Sequence, residues 1–92
     1  MSPERFRREL VVLNELGIHA RPASKIVKYA ARSTARFWIE KDGQRVNGKS
    51  IMGVMMLAAE QGSTVILEAE GEGADELLDI IEDLIRNKFN ET

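Results

Sequence analysis

His19 is the only histidine among 92 residues, and there is no cysteine. A lone imidazole cannot form a histidine pair and no thiolate is available, so neither a metal centre nor a cofactor is expected. The position of His19 suggests another chemistry. It follows Gly17 and precedes Ala20, Arg21 and Pro22, where apolar residues begin to recur at helical spacing. Unpaired backbone N–H groups and the positive end of a helix dipole gather at such a place, which suits anions. An imidazole that attacks a phosphoryl group must be unprotonated, and both the dipole and Arg21 disfavour the imidazolium. A phosphorylated side chain would carry about −1.5 to −2 of charge. Arg21 and the first-turn N–H groups could balance that charge, and Gly17 would let the backbone bend closely around it. By position alone, a solvated or capping histidine is the commoner outcome.

Ser50 is the second residue of interest. It precedes a short apolar run and could cap a helix or, as an exposed cap hydroxyl, accept a phosphate that the helix end stabilises. Gly48-Lys49-Ser50 is a fragment of a phosphate loop, but the earlier glycine of that pattern is missing, so no nucleotide site is expected. No Ser-His relay stands out either, so autonomous catalysis is not expected. The run Ile51, Met52, Gly53, Val54, Met55, Met56 is apolar on nearly every side. Met52 and Met55 are candidates for an exposed contact patch, with a fully buried helix as the equal alternative.

These residues need elements to hold them. With 43% hydrophobic and 30% charged residues the chain has the composition of one globular domain, taken as residues 1–92. Alternation and Val/Leu content predict strands over 6–13, 36–40, 44–47 and 64–70, with Asp42-Gly43 as a hairpin turn. Helical spacing predicts helices over 20–31, 51–58 and 74–88. The first has Ala23, Ile26, Val27 and Ala30 on one face and a basic stripe of Arg21, Lys25, Lys28 and Arg32 on the other. Leu77, Ile81, Leu84 and Ile85, widened by Leu78 and Ile80, line the last. Gly62 is expected to stop the second helix, and residues 1–4 and 90–92 to fray. The order β-α-β-β-α-β-α predicts an α+β fold: an open-faced β-sandwich, a four-stranded largely antiparallel sheet covered on one face by three helices.

The segment Gly17-Ile18-His19-Ala20-Arg21-Pro22-Ala23 resembles the phosphohistidine motif of the HPr family, the phosphocarriers of the bacterial phosphotransferase system. Asn47-Gly48-Lys49-Ser50-Ile51-Met52-Gly53-Val54-Met55 resembles the regulatory serine region of the same family. The likeness runs on through Gln61-Gly62-Ser63 and the Glu70-Gly71 turn to the last helix. The resemblance implies that His19 takes a phosphoryl group on Nδ1 from phospho-enzyme I, itself charged by phosphoenolpyruvate. It further implies transfer to sugar-specific enzyme II components, with Arg21 assisting and Gly17, Ala20 and Pro22 shaping the loop and helix start. Ser50 would be the target of HPr kinase/phosphorylase. Ala20, Arg21, Lys25, Ile51, Met52 and Met55 would meet partners, a transcriptional regulator among them. Leu16 stands where several relatives have a small polar residue, Met56 where many have serine, and Ala58-Ala59-Glu60 replaces a more glycine-rich stretch.

The runner-up is the nitrogen-related branch of the family, regulatory rather than transporting, against which Ser50 with Lys49 and Ile51 argues. A ferredoxin-like binding module is the alternative of another class. It is disfavoured because metal carriage wants cysteines and RNA-binding sheets want exposed aromatics, whereas Phe37 and Trp38 must face opposite sides. The net charge of −2 gives no general attraction to nucleic acid. No stretch reads as a signal peptide or membrane span, and the lack of cysteine suits a reducing cytoplasm. A monomer is expected.

Overall fold

In the computed structural model, which describes residues 3–91, the strands are β1 (Arg5–Val11), β2 (Arg36–Lys41), β3 (Gln44–Asn47) and β4 (Thr64–Glu70). The helices are α1 (Ala20–Ala30), α2 (Ile51–Met56) and α3 (Ala74–Arg86), followed by a 3-10 turn at Lys88–Asn90. One sheet runs β1-β4-β2-β3 with every neighbouring pair antiparallel. The expected α+β open-faced sandwich and element order are therefore observed.

Period-two alternation explains the sheet. Phe37 and Ile39 of β2 lie opposite Ala69 and Leu67 of β4, and all four are buried. Leu10 and Val65 extend this face, which is covered by Ala23, Ile26 and Ala30 of α1 and by Leu77, Leu78, Ile81 and Ile85 of α3. Val27 and Leu84 are only partly buried, and Ile80, expected on the apolar stripe, is exposed. The other sheet face is polar. There Trp38 lies between the guanidinium groups of Arg45 and Arg5, 4.3 and 5.8 Å from its ring centre. Phe37 and Trp38 do face opposite sides, as alternation requires. Asp42 and Gly43 both have positive φ, 50° and 80°, the turn that suits a two-residue hairpin. Arg8 ties β1 to α3 by reaching Asp75, Asp79 and Glu82. No helix among the described residues is long and apolar enough to cross a membrane.

The differences from expectation lie at element ends. The first strand stops at Val11. The second helix stops at Met56, because Ala58 turns left-handed (φ 49°) and the Lys41 ammonium donates to the carbonyls of Leu57 and Ala58. Gly62 serves the later turn into β4. After α3 the chain does not fray at Asn90. Lys88, Phe89 and Asn90 are all left-handed, with φ of 54°, 54° and 60°. Each such non-glycine residue costs about 1–2 kcal/mol. Burial of Phe89, only 1% exposed, returns about 2–3 kcal/mol, and Lys25 Nζ donates to the Phe89 carbonyl at 2.6 Å. At the other end, Glu4 is engaged as well, its carbonyl accepting from Gly71 N–H. Residues 1, 2 and 92 lie outside the described residues.

Candidate functional site

His19 is the N-cap of α1, and its carbonyl accepts the first helical bond from Ala23 N–H at 3.0 Å. Its side chain makes no capping bond, so the imidazole is free of the commonplace role. The N–H groups of Ala20 and Arg21 precede the helical ladder, and the buried Pro22 has none to offer. Arg21 is exposed and holds no hydrogen bond or ion pair among the described residues, which leaves its guanidinium available to an anion beside His19.

Gly17 makes the loop possible. Its φ is +69°, and a Cβ there would lie 2.3 Å from the Ala59 carbonyl oxygen, which accepts from Ile18 N–H at 2.8 Å. Gly17→Ala is expected to destabilise the protein by about 2 kcal/mol or more, the sum of left-handed strain and a backbone clash. Urea unfolding measures it; a loss below about 0.5 kcal/mol would mean the loop relaxes freely.

Two residues unforeseen in the sequence complete the surroundings of His19. Glu91 Oε1 lies 3.0 Å from His19 Nε2, and Asn14 Nδ2 donates to the same oxygen at 2.8 Å and to the Gly17 carbonyl at 2.6 Å. Asn14 is completely buried, whereas the His19 side chain is 35% exposed. The hydrogen bond from His19, and next that from Asn14, hold the Glu91 carboxyl below its usual value of 4.5, with Arg21 adding attraction. The sign follows directly: a carboxyl depressed in the fold contributes stability above its unfolded pKa and loses it as pH falls through the lower folded value. Acidification below about pH 4.5 is therefore expected to release Glu91 before global unfolding, seen as loss of amide protection at Asn90 and Glu91, whose N–H groups bond the Asn87 and Lys88 carbonyls. Unchanged protection down to pH 3 would contradict it. The one available signal was Glu91 itself, an acid near the chain end, and nothing local pointed it at His19.

Ser50 is the N-cap of α2: its Oγ accepts from Gly53 N–H at 3.0 Å, and the residue is half-buried. The neighbouring Lys49 ammonium turns away, donating to the Ser33 carbonyl. Only Val54 of α2 is fully buried, while Ile51, Met52, Met55 and Met56 are exposed, Met52 by 75%. The apolar patch expected at Met52 and Met55 is thus on the surface. Met55 joins Leu16, itself 70% exposed, in lining a shallow cleft of about 280 Å³ that includes His19 and Glu60. Of the basic stripe, Arg21, Lys28 and Arg32 are exposed, Arg32 stacking on Tyr29, but Lys25 is partly buried on the Phe89 carbonyl. Larger hollows, two beside Trp38 and one beside Tyr29, contain none of the residues expected to take part in phosphoryl chemistry.

Residues 6–87 match the family model described as "PTS HPr component phosphorylation site". The chain is 42% identical over 86 residues to the phosphocarrier protein HPr of Cupriavidus necator, covering 94% of this chain and 97% of that one. The crystal structure of HPr-C-His from Thermoanaerobacter tengcongensis superposes with a TM-score of 0.90 at 41% identity, covering 95% and 98% of the two chains. A crystal structure of an HPr dimer from the same organism matches with a TM-score of 0.76 at 44% identity, covering 89% and 94%.

Proposed function

The chain belongs to the HPr family, the phosphocarriers of the phosphotransferase system, and from that premise we propose that His19 is the residue that carries the phosphoryl group. It is loaded by phospho-enzyme I and unloaded onto sugar-specific enzyme II components, and the protein is a carrier rather than a catalyst in its own right. The observation that carries this reading is the placement of an uncapping, partly exposed imidazole at the start of α1, beside an unengaged Arg21. Glu91 occupies Nε2, leaving Nδ1 as the ring nitrogen for phosphorus. Arg21 and the free N–H groups of Ala20 and Arg21 offset the charge that arrives with it.

Ser50 is the regulatory site on this reading, addressed by HPr kinase/phosphorylase, and the exposed Ile51, Met52 and Met55 receive the partners together with Ala20 and Arg21. Lys25 contributes charge from behind, through the segment it pins. A monomer in the cytoplasm fits a relay whose single face must meet donor and acceptor in turn.

Incubation with labelled phosphoenolpyruvate and enzyme I tests the proposal. One acid-labile phosphoryl group per chain is expected, discharged on addition of an enzyme II acceptor. No incorporation would overturn it, and incorporation only with the nitrogen-branch enzyme I would move the protein to that branch.

A further inference from the structure

We infer that Glu91, set in place by Asn14, is a positioning residue that keeps a proton on His19 Nε2, making Nδ1 the bare nucleophile during loading and a good leaving group during unloading. This rests on the reading of His19 as the phosphoryl carrier.

The geometry begins with Asn14, buried completely in the loop before α1. Its Nδ2 faces two acceptors, the Gly17 carbonyl and Glu91 Oε1, so the orientation of the amide is determined by its partners. Its Oδ1 is buried and finds no partner among the described residues. An orphaned buried carbonyl costs about 1–3 kcal/mol and calls for an explanation. On the other side, Glu91 arrives through three consecutive left-handed non-glycine residues, a strained path. Both features converge on one carboxylate oxygen, which also meets His19 Nε2 at 3.0 Å.

An ionised carboxylate only accepts, so the imidazole nitrogen facing it must carry the hydrogen, and the lone pair of the neutral ring then lies on Nδ1. The charged groups around this pair are Arg21 and Lys25 on α1 and Glu60 in the segment before β4. None of these hydrogen-bonds the ring, so Glu91 is the group that selects its tautomer.

In loading, the Nδ1 lone pair forms the N–P bond while the donor's bond to phosphorus breaks and its electron pair stays with the donor. The ring becomes cationic with its hydrogen still on Nε2, shared with Glu91. In unloading, the acceptor's lone pair attacks phosphorus, the N–P pair returns to Nδ1, and neutral imidazole leaves. Without the carboxylate, the phosphorylated ring loses its Nε2 proton more readily at alkaline pH. The leaving group would then be an imidazolate, a far poorer one.

Ring-¹⁵N-labelled protein, Glu91→Ala and Glu91→Gln provide the test, with circular dichroism to verify folding. In the unphosphorylated wild type an exchange-protected Nε2–H resonance is expected, with the Nε2–H tautomer in excess. Glu91→Ala should lose the protected resonance and lower the tautomer ratio severalfold. Transfer out of phosphorylated His19 should fall about tenfold at pH 8 in Glu91→Ala but less than about twofold at pH 6, where solvent supplies the proton. Glu91→Gln, which keeps an acceptor oxygen but not the charge, should lie between. Equal tautomer ratios and parallel pH profiles in wild type and Glu91→Ala would overturn the inference. If the wild type took no label from enzyme I, the carrier reading would fail, while the ring resonances would still decide whether Glu91 sets the tautomer.

Discussion

His19→Ala is expected to take up no acid-labile phosphate from phosphoenolpyruvate and enzyme I, while folding as the wild type does. The loss is complete because His19 is the only histidine in the chain, so no second imidazole can substitute. The fold should persist because the side chain is 35% exposed and its one hydrogen bond is to Glu91. The stability change is put at about 0.5–1 kcal/mol, that of one partly exposed hydrogen bond. Labelling followed by acid treatment, beside a urea titration, separates chemistry from folding. Full acid-labile incorporation into His19→Ala would place the acceptor elsewhere, whatever the fate of the fold.

Ser50→Asp should slow labelling of His19 by enzyme I roughly 10–100-fold. Aspartate is as good an N-cap as serine, so α2 should remain in place with the new carboxylate accepting the Gly53 N–H bond that Ser50 Oγ accepts now. What changes is charge at the rim of an exposed apolar patch formed by Ile51, Met52 and Met55. Docking against that patch must strip water from the new carboxylate. A desolvated, unpaired charge costs several kcal/mol, reduced here by the partial exposure of position 50. The same argument holds more strongly for phosphoserine, with up to about twice the charge. Ser50→Asn caps without charge and is the control: it should label at close to the wild-type rate. If Ser50→Asp and Ser50→Asn behave alike, Ser50 is a cap and nothing more.

Alternation in Phe37 to Ile39 and in Val65 to Ala69, the Asp42-Gly43 turn and the apolar stripes of the two longer helices were legible in the chain. Each depends on residues a few positions apart. The placement of Ser50 as an N-cap followed from the same local logic, whereas exposure and burial of Met52 and Met55 were equally open in the sequence and were decided by the fold, in which only Val54 of α2 is fully buried. Element ends were less legible. The apolar run of the second helix continues through Leu57 and Ala58 past the observed end at Met56, and the signal that stops the helix, Lys41 reaching the Leu57 and Ala58 carbonyls, comes from β2.

The pairing around His19 shows the division most clearly. The sequence by itself determined the single histidine, its place before a helix, and Gly17 and Arg21 beside it, because single occurrence and adjacency are properties of the chain. It did not reveal that Glu91, 72 positions away, meets Nε2, or that Asn14 holds that carboxylate. Those contacts need three left-handed residues with no glycine among them, a conformation no local preference favours. It persists because Phe89 is buried and Lys25 binds its carbonyl, compensations available only once the core has assembled.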